Sequence, residues 1–462
     1  MRQRLADLSH ALRSMVRRHS DGIACAAGVA MLSLSLWSQG VTYIDEVSSS
    51  LVGIRRLVAG DSEHYLAIAD DFARGDFSMQ YVEPTGGPDR AHRQPAYPAL
   101  LAAGEAMGLV GAPALAKIGL ALVVVSLWIA FAAGASCGGA LAGLVAATVV
   151  YQSTFLFDLA TERLLTEPLY VAVSLACVGT AMAYLRRRGS AALLATAALA
   201  GLAYLTRTNG ILLAGALAVA MVAKDVVSVR RQLQGNIDGD EEEPAASIDF
   251  DGDEPWTAQL APEEEEEDDE DLADLPRLPL GLYAAGLAVF LLVAAPSWVP
   301  RMLYAGDPVY HGYLPNYLWV DSYERAHVPG APRYSWKTYA EEHTIGEAIA
   351  RAGYGIKRVY FDTPRDKLGV AASAAMIVAL AVLLALRDRA ALALATAGIL
   401  QTLPLAWVAL SNSARRVPAG ALLPFFAVVM AAAAGATMRY ARRSRTVGVE
   451  TVEGAEPQIV EF

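Results

Sequence analysis

Charged residues are scarce in this chain of 462 amino acids. Asp, Glu, Lys and Arg make up 18% of the sequence, whereas hydrophobic residues make up 55% and the mean hydropathy is +0.34. Soluble globular domains carry about 25% charged residues. The composition therefore excludes an ordinary water-soluble protein and predicts an integral membrane protein.

Cysteine is also rare, and the chain lacks the patterns of a metal site. Cys25, Cys137 and Cys177 lie inside apolar runs without CxxC spacing, which argues against a disulfide framework and a thiolate site. The seven histidines form no HxxxH or HxE pair, so no metal site is readable in the sequence and no cofactor is assigned. A divalent ion held by Asp61 and Glu63 stays open as an alternative.

Lysine is nearly absent, with 5 Lys against 32 Arg. The net charge of −11 averages two unlike regions, because nineteen carboxylates and no Lys or Arg lie between Asp238 and Asp274 and the remainder carries +8. Residues 233–277 are too charged to bury a core, so we predict a disordered acidic insert. A calcium loop at "DFDGDE" is the weaker alternative, because the twelve-residue EF-hand spacing and its terminal Glu are missing.

Apolar runs long enough to cross ~30 Å of hydrocarbon predict an all-α polytopic membrane protein with about ten transmembrane helices. The first run lacks a clear A-x-A cleavage site and exceeds a typical signal-peptide core, so we interpret it as an uncleaved span. The runs lie near 22–41, 112–133, 138–157, 167–185, 190–206, 209–223, 279–298, 369–386, 390–410 and 418–438.

Arginine clusters in short loops orient the predicted spans. The clusters are "RRR" at 186–188, Lys224 with Arg230 and Arg231, "RDR" at 387–389 and "RYARRSR" at 439–445. Because such clusters mark the cytoplasm, we predict a plasma (inner) membrane protein with both termini cytoplasmic. Its predicted parts are a basic arm 1–20, a membrane block 21–232 with outer loop 42–111, the cytoplasmic insert 233–277, a membrane block 278–446 with outer loop 299–368, and a cytoplasmic tail 447–462.

An acidic segment, "AGDSEHYLAIADDFARGDF" at 59–77, follows the first span. From Tyr65 onward, apolar residues recur at helical spacing, which predicts an amphipathic helix in the outer interface. Asp61 stands at the start of this helix, where Asp commonly acts as a cap worth about 0.5–2 kcal/mol. On spacing alone, capping is the favoured role of Asp61.

Six segments together resemble a known enzyme family. They are "GDSEHYLAIADDFARGDF" (60–77), "RQPAYPALLA" (93–102), "TEPLYV" (166–171), "GLAYLTRTNGILL" (201–213), "PSWVPRMLYAGDPVY" (296–310) and "RRVPAGALLPFF" (415–426). In order and in spacing to the spans, they resemble the GT-C glycosyltransferases that use polyprenyl-phosphate sugars, in particular the dolichyl-phosphate-mannose protein mannosyltransferase-like group and the bacterial aminoarabinose transferases. The resemblance covers residues 20–440 apart from the insert.

The resemblance implies a GT-C-like fold whose large first outer loop carries interfacial helices. It also implies inverting transfer of a sugar to an extracytoplasmic acceptor in the cell envelope. In that family an essential Asp precedes a D-x-x-x-Y helix, and Asp61 and Tyr65 match it, so Asp61 is the implied general base. Asp61 stands farther from the first span than its counterparts do, and Asp45 and Glu46 are therefore held in reserve.

Transfer from a lipid phosphate needs a carboxylate to take the acceptor's proton and cations to hold the departing phosphate. Arginine suits the second task because its planar fork pairs two N–H donors with phosphate oxygens. The alternative role of each arginine is snorkelling to the interface. Arg207 and Arg415 or Arg416 are favoured, because their short turns can reach the centre of a bundle. The candidates are Arg93, Arg207, Arg301, Arg415 and Arg416.

A second catalytic carboxylate is expected in "FDLATERLLTEPLYV", which offers Asp158, Glu162 and Glu167. The match to "TEPLY" favours Glu167. Its alternative role is that of a Glu in the first turn of a helix, where it stabilises the macrodipole. The aromatic residues of loop 299–368 can either stack on sugars or pack in the interface.

The implied partners are a polyprenyl-phosphate-linked sugar, an unidentified glycan, lipid or protein acceptor, and the lipid bilayer, with no nucleic acid. A secondary transporter is the main alternative function, and it would place ionisable residues near the bilayer midplane and often show repeated halves. Here the charges gather at the predicted outer rim, and no internal repeat is visible. A non-catalytic membrane partner is the second alternative, and it predicts that Asp61 is dispensable.

Overall fold

The computed structural model describes residues 2–77, 80–81, 91–239, 278–307, 318–320, 334–408 and 416–453. This part of the chain is helical almost throughout, as the composition predicts. Its strands are two residues each, β1 (Gln80–Tyr81) and β2 (Ala91–His92), and they pair antiparallel. The protein is an all-α polytopic membrane protein.

The described helices lie before and after the predicted acidic insert 233–277. The predicted start of the insert is wrong, because α10 continues through residues 233–239, and residues 240–277 lie outside the described ranges. The helices that begin before the insert are α1 (Arg2–Ser48), α2 (Leu51–Val58), α3 (Asp61–Ala73), α4 (Ala96–Ala106), α5 (Ala112–Gly138), α6 (Ala140–Tyr151), α7 (Thr154–Glu162), α8 (Glu167–Arg187), α9 (Ser190–Thr206) and α10 (Gly210–Gly239). Those after it are α11 (Leu280–Ala305), α12 (Trp336–Glu342), α13 (Ile345–Lys357), the π-helical turns Arg358–Asp362 and Pro364–Leu368, α14 (Val370–Ala385), α15 (Arg389–Val408) and α16 (Arg416–Glu453).

Seven helices in the described ranges are long and apolar enough to cross a membrane. Their crossing segments are Ser20–Ser48, Ala112–Gly138, Glu167–Arg187, Gly210–Gln232, Leu280–Leu303, Arg389–Val408 and Arg416–Arg442. The pair α6 and α7 brings the number to eight when counted as one span, and α9 and α14 are shorter apolar helices. Every predicted apolar run thus coincides with a helix or a helix pair.

The prediction of one continuous helix near 138–157 is wrong. The chain bends by 54° between α6 and α7, and α7 continues to Glu162, beyond the end of the predicted run at residue 157. Phe155, Leu156 and Ala160 on α7 are buried, so this segment has an apolar face that packs against the bundle. The residues before Glu167 are therefore held by packed structure.

The predicted outer loop 42–111 is largely helical. Helix α1 continues past the predicted end of the first span to Ser48, because Ile44 is buried on its inner face. Asp61 therefore follows α1 by thirteen residues, eight of which form α2. The predicted amphipathic helix is confirmed as α3, which buries Tyr65, Ile68 and Ala69.

The two ends of the bundle collect different charged residues. At one end, which we call the basic end, Asp388 Oδ2 lies 3.1 Å from Arg186 Nη2 and 3.5 Å from Arg439 Nη2. The clusters at 186–188, 387–389 and 439–445 therefore share one end, as the sequence predicts. Helices α8 and α16 begin at the opposite end, which we call the site end. The side of the membrane that each end faces stays a prediction.

The last helix lies at the centre of the bundle. Of the membrane-crossing window of α16, 83% is buried, against 11% for that of α1. Gly435 of α16 touches Gly138 of α5, where a Cβ on Gly435 would lie 2.6 Å from the Gly138 Cα atom. Any side chain at this crossing would push the two helices apart.

Candidate functional site

Five charged side chains from separate parts of the chain meet at the site end. Asp61 begins α3, Arg93 follows β2, Glu167 begins α8, Arg207 follows α9 and Arg416 begins α16. We call these residues the charged cluster. Each of the five is a residue that the sequence predicts for the site.

Asp61 binds two arginines. Its Oδ1 accepts a hydrogen bond from Arg93 Nη2 at 2.7 Å, and its Oδ2 accepts one from Arg416 Nη2. The N-cap of α3 is Gly60, whose φ of 66° is a conformation that glycine adopts readily. The favoured capping role of Asp61 is therefore wrong, because Asp61 is the first helical residue and directs both oxygens at the arginines.

The arginines control the charge of Asp61. Burial alone would raise the pKa of Asp61, but the charges of Arg93 and Arg416, with a smaller contribution from Arg207, lower the pKa from 3.8 to about 2. The carboxylate is therefore ionised at every physiological pH.

Glu167 is the most enclosed member of the charged cluster, with 1% of its side chain exposed. Its Oε1 lies 2.6 Å from Arg207 Nη1 and 3.2 Å from Arg416 Nε. These contacts are ion pairs without hydrogen-bond geometry, and Arg207 Nη1 donates its hydrogen bond to Thr166 Oγ1 at 2.9 Å. Glu167 is also the first residue of α8, where an acidic side chain stabilises the helix dipole, whereas its predicted catalytic role stays a prediction.

The side chains around Arg93 fix its position. His64 Nδ1 accepts from Arg93 Nε at 3.1 Å, and the Arg93 guanidinium lies 5.9 Å from the centre of the Tyr65 ring. Tyr65 in turn packs edge-on against Tyr97, with ring centres 5.4 Å apart. Tyr65, which the resemblance selects as part of a motif, thus supports an arginine of the charged cluster.

Gln94 joins the loop of Arg93 to two other elements, and sequence reasoning missed it. Its Oε1 accepts from Ser297 Oγ of α11 at 2.7 Å, and its Nε2 donates to Thr208 Oγ1 at 3.3 Å. The available signal was its position directly after Arg93 in "RQPAYPALLA".

Arg301 lies apart from the charged cluster, behind Tyr204 of α9. It is completely buried, and its Nη1 donates to the Tyr204 hydroxyl at 3.3 Å. Trp298 Nε1 donates to the same hydroxyl at 2.8 Å. Within the described ranges, Nε and Nη2 of Arg301 have no hydrogen-bond partner, which leaves a buried cation with two donors available there.

Glu162 and Asp158 do not join the charged cluster. Glu162 accepts hydrogen bonds from the Tyr43 hydroxyl at 2.8 Å and from Arg56 Nη2 at 2.6 Å. Asp158 is exposed on the same helix, α7. Glu162 therefore ties α1 and α2 to α7.

The reserve pair is also placed elsewhere. Asp45 is exposed on α1 and lies 3.2 Å from Lys117 Nζ, and Glu46 is exposed beside it. Arg415 lies outside the described residues.

The described geometry gives no support to a divalent ion between Asp61 and Glu63. Both oxygens of Asp61 bind arginines, and Glu63 is exposed. Among the described residues, no group of three or more His, Cys, Asp or Glu is arranged to hold a metal ion.

The charged cluster has the composition of an anion site beside a carboxylate. Its three arginines outnumber its two carboxylates and leave one excess positive charge. Arginine forks bind phosphate oxygens in pairs. The cluster can therefore hold an anionic group next to Asp61.

No protein-family model matches the chain, and no curated protein matches it. A solved structure, the Archaeoglobus fulgidus oligosaccharyltransferase in complex with Zn and sulfate, is similar to this chain with a TM-score of 0.40 and 13% identity. The match covers 86% of this chain and 48% of that chain, so this chain spans about half the length of that protein. A similarity of this size says nothing about the roles of individual residues.

Proposed function

We propose that this protein is a GT-C-type membrane glycosyltransferase that transfers a sugar from a polyprenyl-phosphate donor to an acceptor on the extracytoplasmic side. The charged cluster carries the proposal. Five of the six segments that resemble this enzyme class each contribute one member of the charged cluster, and the segment 296–310 contains Arg301, which lies apart from it. The meeting of residues from separate parts of the chain in one cluster supports the proposal.

In the proposed reaction, the acceptor hydroxyl oxygen attacks the anomeric carbon of the donor sugar. The proton of this hydroxyl passes to Asp61, and the bond between the anomeric carbon and the phosphate oxygen breaks. The bonding electron pair stays on the phosphate, where the arginines offset the new charge. A single displacement of this kind inverts the anomeric centre.

The arginines bind Asp61 before the donor arrives and bind the donor phosphate afterwards. Arg93 and Arg416 bind Asp61 and hold its pKa at about 2, despite burial that would raise it, and a carboxylate so paired is a weak base. A donor phosphate that draws the guanidinium groups toward itself raises the basicity of Asp61. Donor binding would therefore prepare the base before the acceptor is attacked.

The charge of the charged cluster fits this donor. A polyprenyl-phosphate sugar is a phosphodiester with one negative charge, and the cluster has one excess positive charge. The released polyprenyl phosphate is a monoester that can carry a second negative charge. Arg301, two of whose nitrogens have no partner among the described residues, is the remaining candidate cation for that charge.

Glu167 is assigned a positioning role. Its Oε1 contacts Arg207 and Arg416, and the whole side chain is buried behind them. It therefore holds two phosphate-binding arginines in place rather than meeting the acceptor.

The test is release of polyprenyl phosphate by the purified full-length protein from a panel of polyprenyl-phosphate sugars. Arg416→Gln should reduce release on the order of 10²-fold, as removal of one charge-stabilising donor does. Arg56→Gln is the matched control, because Arg56 pairs with Glu162 outside the charged cluster.

A companion test compares the cell-envelope glycans and glycoproteins of a deletion strain with those of its parent by mass. A transferase predicts the loss of a sugar mass, whereas a transporter moves its substrate without releasing polyprenyl phosphate. Unchanged glycans together with no release from any donor would refute the proposal.

A further inference from the structure

A groove of about 470 Å³ runs between α10 and α15 near the basic end. Its walls come from residues 219–231 of α10 and 389–400 of α15, with Leu185 of α8 at one side. Apart from three cations, Lys224, Arg231 and Arg389, the lining is aliphatic with one Ser and one Thr. The groove therefore combines an apolar wall with a cationic mouth.

The dimensions of the groove match one leaflet of a bilayer. At 1.5 Å per residue, the lining segments of α10 and α15 are about 16–18 Å long. Half of a ~30 Å hydrocarbon core is about 15 Å. Helix α10 runs toward the basic end and α15 begins there, so Arg231 and Arg389 lie at the mouth while Val219 and Leu400 lie deeper.

Carboxylates next to the groove are occupied by other cations. Asp225, which is 1% exposed, lies 3.1 Å from Arg188 Nε and accepts from the hydroxyls of Tyr184 and Tyr283 at 2.6 and 2.9 Å. Asp388 pairs with Arg186 and Arg439 as described above. None of the groove-lining residues is acidic.

The cations of the groove are therefore available to a ligand. Arg231 and Arg389 are exposed, and neither forms an ion pair with a carboxylate in the described ranges. Lys224 Nζ donates to the backbone oxygen of Tyr184 at 3.0 Å and lies 5.4 Å from the centre of the Tyr184 ring, and it forms no ion pair with a carboxylate of the described residues. Arg389 also stands at the first turn of α15, where a cation is unfavourable to the helix dipole.

We propose that this groove binds an anionic phospholipid, with an acyl chain along the aliphatic wall and the phosphate against Lys224, Arg231 and Arg389. Basic pockets between membrane helices bind anionic headgroups in this manner. A zwitterionic lipid is disfavoured, because its own ammonium group offsets the negative charge of its phosphate. The acidic insert of this chain has carboxylates for the mouth but no aliphatic segment for the wall.

This site is separate from the charged cluster. Helix α8 extends from Glu167 in the cluster to Arg187 at the basic end, a distance of about 30 Å at 1.5 Å per residue. Phospholipid binding therefore does not rest on the proposed transferase function.

The test uses the full-length protein in detergent with dioleoyl phosphatidylglycerol or dioleoyl phosphatidylcholine, and reads lipid retention by native mass spectrometry and the lipid-induced shift in melting temperature. Wild type should retain phosphatidylglycerol in preference to phosphatidylcholine. Because each cation attracts the anionic headgroup, Arg389→Gln should weaken phosphatidylglycerol binding about fivefold. The triple change Lys224→Gln, Arg231→Gln and Arg389→Gln should weaken it on the order of 100-fold.

Two further variants test the position of the lipid. Thr396→Trp places a large side chain in the aliphatic part of the groove and should abolish lipid retention. The protein should still fold, because Thr396 is exposed. Arg187→Gln is the control, because Arg187 is an exposed arginine at the same end outside the groove and its loss should leave retention unchanged.

Equal retention of the two lipids would overturn the proposal, as would a triple variant that binds like Arg187→Gln. Glycerol phosphate that shifts the melting temperature as much as phosphatidylglycerol does would indicate a soluble phosphate site instead. Retention that appears only after residues 238–274 are deleted would show that the acidic insert occupies the groove.

Discussion

Asp61 and Arg416 form an ion pair across 355 positions of the sequence. Asp61 lies in α3, soon after the first span, whereas Arg416 begins the last described helix. Arg416 also lies 3.2 Å from Glu167 through its Nε. One arginine therefore joins both carboxylates of the charged cluster and connects α3 to the last described helix.

Asp61→Asn should separate catalysis from donor binding. Asn keeps the shape of the side chain but cannot accept a proton, so turnover should fall on the order of 10²–10⁴-fold. Binding of polyprenyl phosphate should persist or tighten, because Asp61 no longer competes for Arg93 and Arg416. Turnover with a polyprenyl-phosphate sugar and the melting-temperature shift caused by polyprenyl phosphate measure the two effects.

Asp45→Asn and Glu46→Gln are the controls for this experiment, because both residues are exposed on α1. Near-normal turnover in Asp61→Asn would refute the assignment of the base. Weakened lipid-phosphate binding with retained turnover would make Asp61 a positioning residue. Loss of turnover in Asp45→Asn alone would assign the general base to Asp45 in "YIDE" instead.

The stability of the protein should depend on Asp61 at acid pH. Although burial would raise the pKa of Asp61, the neighbouring arginines lower it from 3.8 to about 2. The depressed pKa contributes stability that is fully present above about pH 4 and is lost as the pH falls through 2. The shift corresponds to about 2 kcal/mol.

Unfolding in detergent between pH 6 and 2 measures this contribution. Asp61→Asn should flatten the fall in unfolding free energy between about pH 4 and 2, whereas Asp45→Asn should leave it unchanged. An equally steep fall in Asp61→Asn would contradict the arginine-paired state of this carboxylate.

Glu167→Gln should destabilise the folded protein, because it leaves Arg207 and Arg416 without their buried counter-charge. We expect the free energy of unfolding to fall by about 2 kcal/mol. This is less than for a fully buried pair, because 18% of the Arg207 side chain and 24% of the Arg416 side chain are exposed. The double variant Glu167→Gln with Arg207→Gln should recover part of this loss, with a coupling of about 1 kcal/mol.

Thermal and denaturant unfolding of the two single variants and the double variant measure this coupling. Glu162→Gln with Arg56→Gln provides a matched cycle on an ion pair outside the charged cluster, where Arg56 is largely exposed and the coupling should be smaller. Strictly additive effects of Glu167→Gln and Arg207→Gln would show that the pair does not stabilise the site.

The orientation predicted from the arginine clusters can be tested by cysteine labelling in intact cells. Phe250→Cys and Gly330→Cys, each in a background without Cys25, Cys137 and Cys177, lie in the acidic insert and in the second long loop, outside the described residues. An impermeant reagent should label position 330 and not position 250. The reverse pattern would overturn the orientation, and extracytoplasmic transfer with it.

Deletion of residues 238–274 should leave the membrane bundle and transfer largely intact. The segment carries nineteen carboxylates and no Lys or Arg, so the sequence predicts that it contributes no apolar face to the bundle. Yield of detergent-stable protein and turnover measure the outcome. Loss of stable protein would show that the segment packs against the rest of the chain.

Much of the fold follows from the sequence, because helix formation in a membrane needs only a sustained apolar run. The bend between α6 and α7 was missed, since a break at Gln152 and Ser153 leaves the apolar run uninterrupted. Periodicity predicted α3, but it could not show that Gly60 takes the cap position and leaves Asp61 free to bind arginines.

The sequence motifs predicted which residues form the candidate site, and five of the predicted residues do lie together, while their roles stay predictions. The motifs selected Asp61, Glu167 and the arginines, yet the pairing among them depends on helix packing, which spacing does not encode. Glu162 and Glu167 lie five positions apart in one segment. Because of the way α7 packs, Glu162 pairs with Arg56 whereas Glu167 pairs with Arg207. Gln94 and His64 act through such contacts and carry no pattern of their own.

The central position of α16 has a consequence for how the protein is made. The ribosome delivers this helix last among the described elements, yet it becomes the most buried of the crossing segments. The position that α16 fills among the earlier spans therefore stays open until α16 itself has been synthesised. Before then Asp61, Glu167, Arg93 and Arg207 balance to zero net charge, so the charged cluster gains its excess positive charge only when Arg416 arrives.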